Sequence, residues 1–277
     1  MKERTNVKIN LGLRVLGRRS DGFHDIETLF LPFQGLGDEI EILPAGSASN
    51  RLPEAYTPSQ KVCLTADPPV SWETEKDLCV RAYRLLDAEF RLPPVEIRLH
   101  KQAPTGAGLG GGSADAAWTL RMLRDMFALP LPDRQLAVRA AALGSDCPFF
   151  IYNRPMTGRG RGEVLEPFDI DLSRYKIEVA VPSGVAVNTG EAYRAIDASR
   201  ATGAGTADGA RSGILPLEQI LSLPPEEWRG RLVNDFEAPV FAAWPQVAAL
   251  KEAFYARGAV YAAMSGSGSA VFGIFPL

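Results

Sequence analysis

The sequence predicts a two-lobed α+β protein, and three observations carry that prediction. Strands open the chain without helices between them, a strand at 95–100 runs into a glycine-rich loop and then a helix, and a fresh strand–helix pattern begins after Asp171. With 277 residues and 46% apolar content, the chain can fill one large or two modest cores. The lobes are predicted as 1–165 and 166–277.

Val7, Ile9, Leu11, Leu13 and Val15 alternate with Lys8, Asn10, Gly12 and Arg14, the period-two signature of a half-buried strand, so Lys8 and Asn10 share a face. Ile26 to Phe33 and Glu39 to Leu43 read as further strands, giving an antiparallel opening rather than βαβ units. Residues 44 to 60 read as an exposed loop. Asp77 to Phe90 has helical spacing, and VEIRLH at 95–100 alternates as a strand. Ala117, Leu120, Leu123 and Phe127 then recur at three and four, which predicts a helix over 113–127. A second helix is predicted over 133–143, stopping at Gly144. Ser145 or Asp146 caps a third, with Pro148 in its first turn.

In the second lobe, a strand is predicted over Ile177 to Val181 and helices over 190–196 and 247–256. A flexible loop spans 199–213, and the Gly-Ser loop MSGSGS leads into a strand over 270–275.

The net charge of −3 offers no basic excess for nucleic acid. Small molecules are the expected partners. Cys63, Cys79 and Cys147 are scattered without a CxxC pair, which suits a reducing cytoplasm. The N-terminal stretch lacks the apolar run of a signal peptide, and no run of about 18 apolar residues spans a bilayer. A soluble chain is therefore expected.

The stretch PTGAGLGGGSADAA at 104–117 carries the chemistry. Glycines let backbone N–H groups approach a polyphosphate, and a helix starting beside them aims its unpaired amides at the same anion. Gly106, Gly108 and Gly111 match GxGxxG, but a dinucleotide fold wants a fully buried parallel strand before the loop and another strand after the helix. No GxxxxGK(S/T) occurs, so the P-loop lysine is missing. A bare glycine turn rarely needs three adjacent glycines at a helix start.

This loop resembles the phosphate loop of the GHMP kinases, the superfamily of galactokinase, homoserine kinase and mevalonate kinase. KINLGLRVLGRRSDGFHDIETLF at 8–30 is similar to the branch acting on 4-diphosphocytidyl-2-C-methyl-D-erythritol, in non-mevalonate isoprenoid biosynthesis. The likeness continues through LGSDCPFF at 143–150, VNTGEAY at 187–193, NDFE at 234–237 and MSGSGSAVFGIF at 264–275. It implies a ribosomal protein S5 domain 2-like N-terminal lobe and a ferredoxin-like C-terminal lobe. It also implies an ATP- and Mg2+-dependent phosphotransferase with an alcohol acceptor, working as a monomer or weak homodimer.

By this resemblance Pro104, Thr105, Gly106, Ala107, Gly108, Leu109, Gly110, Gly111, Gly112, Ser113 and Ala114 cradle the ATP phosphates, and Ser113 can also meet Mg2+. Asp146 corresponds to the aspartate that accepts or orients the proton of the attacking hydroxyl; read from its position alone, it is a helix N-cap. Lys8 corresponds to the lysine that keeps this aspartate ionised and neutralises transition-state charge. Asn10 and Thr189 are implied substrate contacts. Phe23 and His24 fall where the family meets the cytosine, Phe23 standing for a usual tyrosine, and Tyr193 supplies the opposite face of an aromatic sandwich. Cys147 reads as a small buried side chain. Another small-molecule kinase of the superfamily, or a regulator that binds nucleotide without catalysis, are the competing readings. Retention of Lys8 and Asp146 argues against the second.

Overall fold

The computed structural model describes residues 1–45, 61–201 and 215–277. In chain order the strands are β1 (Lys2–Arg4), β2 (Val7–Arg18), β3 (His24–Phe33), β4 (Glu39–Pro44), β5 (Val62–Asp67), β6 (Val95–His100), β7 (Met156–Arg159), β8 (Val164–Pro167), β9 (Tyr175–Ala180), β10 (Tyr261–Met264) and β11 (Val271–Pro276). The helices are α1 (Leu78–Phe90), α2 (Gly111–Met126), α3 (Asp133–Ala140), α4 (Cys147–Tyr152), α5 (Thr189–Ala201), α6 (Leu217–Leu221), α7 (Glu237–Ala243) and α8 (Pro245–Ala256). No helix among the described residues is long and apolar enough to cross a membrane.

The chain forms two compact units, neither of them a single stretch of sequence. The first comprises 1–7, 33–103 and 110–154; the second comprises 8–32, 104–109 and 155–277. The sequence places one boundary at 165/166, whereas these units exchange the chain several times. Side-chain packing explains why β2 and β3 join the later residues: Leu13, Val15 and Ile26 share a core with Ile196, Phe236, Val240, Met264 and Val271.

In the first unit the sheet order is β1-β4-β6-β5. β4 pairs antiparallel with β6, with Ile42 opposite Ile97, while β5 pairs parallel with it. β5, α1 and β6 therefore make a βαβ unit downstream of the opening strands. β5 escaped the sequence analysis because it is a six-residue edge strand with no residue fully buried. β6 alternates even beside a parallel neighbour: Val95, Ile97 and Leu99 are buried, while Arg98 and His100 are exposed. One covered face suffices for that pattern.

α2 packs against α1, α3, α4 and β4. It starts at Gly111, two residues before the expected Ser113, because Gly110 adopts the left-handed conformation that lets the chain enter the helix there. α3 ends at Ala140, and turns carry the chain to Gly144.

The second unit holds a sheet of order β2-β3-β7-β8 and an antiparallel sheet of order β10-β11-β9. β2 also bridges in parallel from Leu13 to Asn234. Residues Val7 to Val15 of β2 are all buried, so the strand is covered on both faces rather than half-buried as its alternation suggested. α5 runs to Ala201, so residues 199–201 are helical rather than loop. The remainder of the loop expected at 199–213 lies outside the described residues, as does 46–60 of the loop expected at 44–60.

Candidate active site

The glycine loop joins β6 to α2, and its conformation explains its composition. Gly106, Gly108 and Gly110 have φ of +71°, +76° and +74°, a region that costs an L side chain about 1–2 kcal/mol. The intervening Ala107 and Leu109 are buried anchors. Ala270 N–H donates to Ala107 O at 3.0 Å, and Lys8 N–H donates to Leu109 O at 2.9 Å. The side chains of Ala107, Leu109 and Ala114 thus face the protein, leaving the loop's backbone, with the hydroxyls of Thr105 and Ser113, as the surface it can offer.

Crowding differs along the loop. A Cβ on Gly106 would meet nothing within 4 Å, whereas one on Gly108 would lie 2.2 Å from Ser265 O and 3.1 Å from Gly268 N. In α2 the first helical hydrogen bond runs from Ala114 N–H to Gly110 O at 2.9 Å. The preceding amides of Gly111, Gly112 and Ser113 fall outside the helical ladder, and no side chain caps them. These N–H groups and the helix dipole suit a polyphosphate.

Lys8 is 3% exposed, yet its ammonium is well partnered. Nζ donates to Asn10 Oδ1 at 2.6 Å and to Gly108 O at 2.8 Å, and lies 5.6 Å from the centre of the Phe30 ring. Asn10 Nδ2 donates to Thr28 Oγ1 at 3.0 Å. Both ends of the Asn10 amide are therefore engaged in holding Lys8 against the glycine loop.

Asp146 stands at the N-cap position of α4 with φ −83° and ψ −16°, and its side chain makes no capping hydrogen bond. The cap reading of this aspartate does not hold. A Cβ on Gly144 would lie 3.4 Å from Cys147 Sγ and 3.8 Å from Ser113 Oγ, so the turn carrying Asp146 runs beside the first turn of α2. Burial pushes the Cys147 thiol up to about 12, which suits an inert packing residue.

Tyr193 stacks on His24, with ring centroids 4.4 Å apart and planes at 13°, and the edge of Phe236 meets it at 4.8 Å. His24 is buried, and its Nε2 lies 2.9 Å from Asp197 Oδ1. Phe23 is 54% exposed, with the Arg161 guanidinium 4.9 Å above its ring. Phe23 precedes β3, whose first residue, His24, carries the ring on which Tyr193 stacks. Thr189 Oγ1 and Ser267 Oγ share a hydrogen bond of 2.8 Å, tying the start of α5 to the MSGSGS loop.

Sequence reasoning missed two supporting networks. Within NDFE, Asn234 Nδ2 donates to Met264 O and Gly266 O, both at 2.8 Å; Asp235 Oδ2 accepts from Val15 N–H, and Glu237 Oε1 accepts from Met264 N–H. The motif was visible, but the segments it joins were not. The second network is buried: Lys101 Nζ donates to Asp38 Oδ2 at 2.5 Å and Asp115 Oδ2 at 2.8 Å. Nothing in the sequence pairs Asp38 with residues so distant.

Burial pushes the Asp115 carboxyl up to about 8 against the pull of Lys101. The unfolded chain loses this proton near 3.8, whereas the folded protein keeps it to about 8. The stability it contributes is complete below the lower value and is lost as pH rises toward the upper one. Asp115→Asn removes that dependence, so its melting temperature should gain on the wild type between about pH 5 and about pH 8. Parallel pH slopes for the two proteins would contradict a neutral Asp115.

Comparison with known proteins agrees with this geometry. A family model for the GHMP kinases N terminal domain matches residues 77–154, and one for the GHMP kinases C terminal region matches 224–277. The fold and the glycine loop are thus those of a GHMP kinase, an ATP-using phosphotransferase class. The 4-diphosphocytidyl-2-C-methyl-D-erythritol kinase of Bacteroides fragilis is 41% identical over 276 residues, covering 98% of this chain and 90% of that one. Its counterpart from Porphyromonas gingivalis is 41% identical over 271 residues, with the same coverage. A crystal structure of 4-(cytidine 5'-diphospho)-2C-methyl-D-erythritol kinase superposes with a TM-score of 0.75 at 32% identity, over 99% of this chain and 90% of that chain. The chain belongs to the 4-diphosphocytidyl-2-C-methyl-D-erythritol kinase family.

Proposed function

We propose that this chain transfers the γ-phosphoryl group of ATP to the 2-hydroxyl of 4-diphosphocytidyl-2-C-methyl-D-erythritol, a step of non-mevalonate isoprenoid biosynthesis. The products are ADP and the 2-phosphate. The observation that carries this reading is identity of 41% across 98% of the chain with a kinase of that name. Its three free cysteines suit work in a reducing cytoplasm.

Phosphoryl transfer asks for position and charge stabilisation more than for covalent chemistry. Backbone amides from Thr105 to Ser113 hold the ATP phosphates, with Pro104 and Ala114 bounding the cradle. Asp146, whose carboxylate does no capping, orients the 2-hydroxyl and accepts its proton as the O–P bond forms. Lys8, already desolvated, supplies positive charge to the transferring group, and Asn10 keeps its ammonium in place.

The donor set fits Mg2+ carried by the nucleotide. Among the described residues no three His, Cys, Asp or Glu side chains group as a metal site. Mg2+ would be held mainly by phosphate oxygens and water, and the Ser113 hydroxyl could meet it directly or through water. When bound it neutralises phosphate charge. At the other end of the substrate, Phe23 offers an exposed face for stacking on the cytosine, and the His24–Tyr193 pair, fixed by Asp197, forms a rigid wall. Thr189 contacts the substrate from the start of α5.

ATP consumption measured with the cytidyl substrate, mevalonate, homoserine and galactose under identical conditions tests the assignment. Turnover is expected with the first alone. Turnover with one of the others and none with the cytidyl substrate would refute it, and turnover with none would favour a regulator.

A further inference from the structure

Resting on the kinase reading, we propose that Lys101, Asp38 and Asp115 form a positioning clamp for the ATP loop. A single buried ammonium holds the loop's two ends at a fixed spacing without touching the nucleotide. Lys101 lies just before the loop and Asp115 in the second turn of α2 just after it; the 2.8 Å hydrogen bond that Lys101 donates to the Asp115 carboxyl closes the intervening stretch like a staple. Asp38 holds the entry: its Oδ1 accepts from Gln102 N–H at 2.6 Å and Ala103 N–H at 2.7 Å, and its Oδ2 accepts from Lys101. Asp38 is itself fixed, because its backbone N–H donates to Thr5 Oγ1 and its carbonyl accepts from Thr5 N–H, both at 2.8 Å. The first residue of α2 rests on the cluster, since a Cβ on Gly111 would lie 3.7 Å from Asp38 Oδ2 and 4.0 Å from Lys101 Nζ.

Stability alone does not account for this arrangement. Asp38 and Asp115 are 0% and 2% exposed, and buried ion pairs seldom outperform well-packed apolar residues of similar volume. Asp115 Oδ1 is buried without a hydrogen-bond partner among the described residues, a further cost. What charge provides here is geometry. Ala107 and Leu109 anchor the middle of the loop, but its glycines carry the greatest conformational freedom to lose. Pinning both ends restricts that freedom before nucleotide arrives.

The test combines affinity for a non-hydrolysable ATP analogue with amide hydrogen exchange across 104–112 in the nucleotide-free protein. Lys101→Met is expected to weaken analogue binding roughly tenfold and to speed exchange in the loop, while the KM for the cytidyl substrate stays within about twofold. Lys101→Arg, which keeps the cation, should recover most of the affinity. Unchanged affinity in Lys101→Met would overturn the clamp. Weaker binding with unchanged exchange would overturn it too, since Lys101 would then act by direct contact. Should Lys101→Met fail to fold, Asp38→Asn keeps an acceptor for the two loop amides, disrupts only the lysine bond and is judged by the same readouts. A wild-type protein that binds the analogue but does not phosphorylate the cytidyl substrate would refute the assigned reaction and leave binding and exchange to decide the clamp.

Discussion

Asp146→Ala is expected to lose roughly a thousandfold in kcat, while its affinity for a non-hydrolysable ATP analogue stays within about twofold of wild type. The acceptor is a tertiary alcohol, which needs its proton taken as the O–P bond forms. The phosphate cradle consists of backbone, so removing a carboxylate leaves the nucleotide-binding surface as it was. The carboxylate makes no capping hydrogen bond at the start of α4, so no helix cap is lost with it. A helix cap would give the opposite pattern: about 1 kcal/mol of stability lost and turnover kept. Measuring kcat and melting temperature on one preparation separates the two roles, and near-normal turnover would remove Asp146 from the mechanism.

Gly108→Ala is expected to cost at least roughly a hundredfold in kcat/KM, from a methyl group that touches no ligand. Two effects add. The left-handed backbone costs alanine about 1–2 kcal/mol, and the new Cβ would sit 2.2 Å from Ser265 O, a backbone atom that cannot swing aside. The loop must move, and the contacts that move with it matter: Gly108 O accepts from Lys8 Nζ at 2.8 Å and from Ser265 Oγ at 3.1 Å. Gly106→Ala is the control. Its φ of +71° carries the same backbone strain, but a Cβ there meets nothing, so it should lose far less. Steady-state kinetics on the pair isolates the clash from the strain, and equal losses would show that conformation alone is responsible.

Local features of this chain were legible in its sequence. Glycine punctuation and three-and-four spacing mark α2 within two residues of its start, and alternation marks β2, β3, β4 and β6. What alternation could not show is how many faces of a strand are covered. Lys8 and Asn10 look like a solvated face beside Val7 and Ile9, yet they are buried because Lys8 reaches the carbonyl of Gly108 and Asn10 reaches Thr28. The chemistry was visible only through motif resemblance. The positioning networks were not, because Asp38 acts on Lys101 and Asn234 acts on Gly266 only once the fold has brought them together. His24 and Tyr193 illustrate the same limit. Each was found singly, but which aromatic partner Tyr193 takes depends on the side of β3 from which the ring approaches.

The interleaving of the two units bears on how the chain comes to be folded at all. β2 is made well before the segment it joins: Leu13 pairs with Asn234, and Val15 N–H waits for the carboxylate of Asp235, 220 residues later. The second unit therefore cannot be completed until the segment around residue 234 has been made. Asp38, Lys101 and Asp115 need nothing beyond residue 154 of their own unit to assemble. One flank of the nucleotide loop is thus available early, whereas the strand bearing Lys8 reaches its final pairing only when the last segments emerge. A chain stalled before that segment accordingly leaves Leu13 and Val15 of β2 without the partners that complete their core, an exposed apolar surface of the kind that makes incomplete chains prone to aggregate.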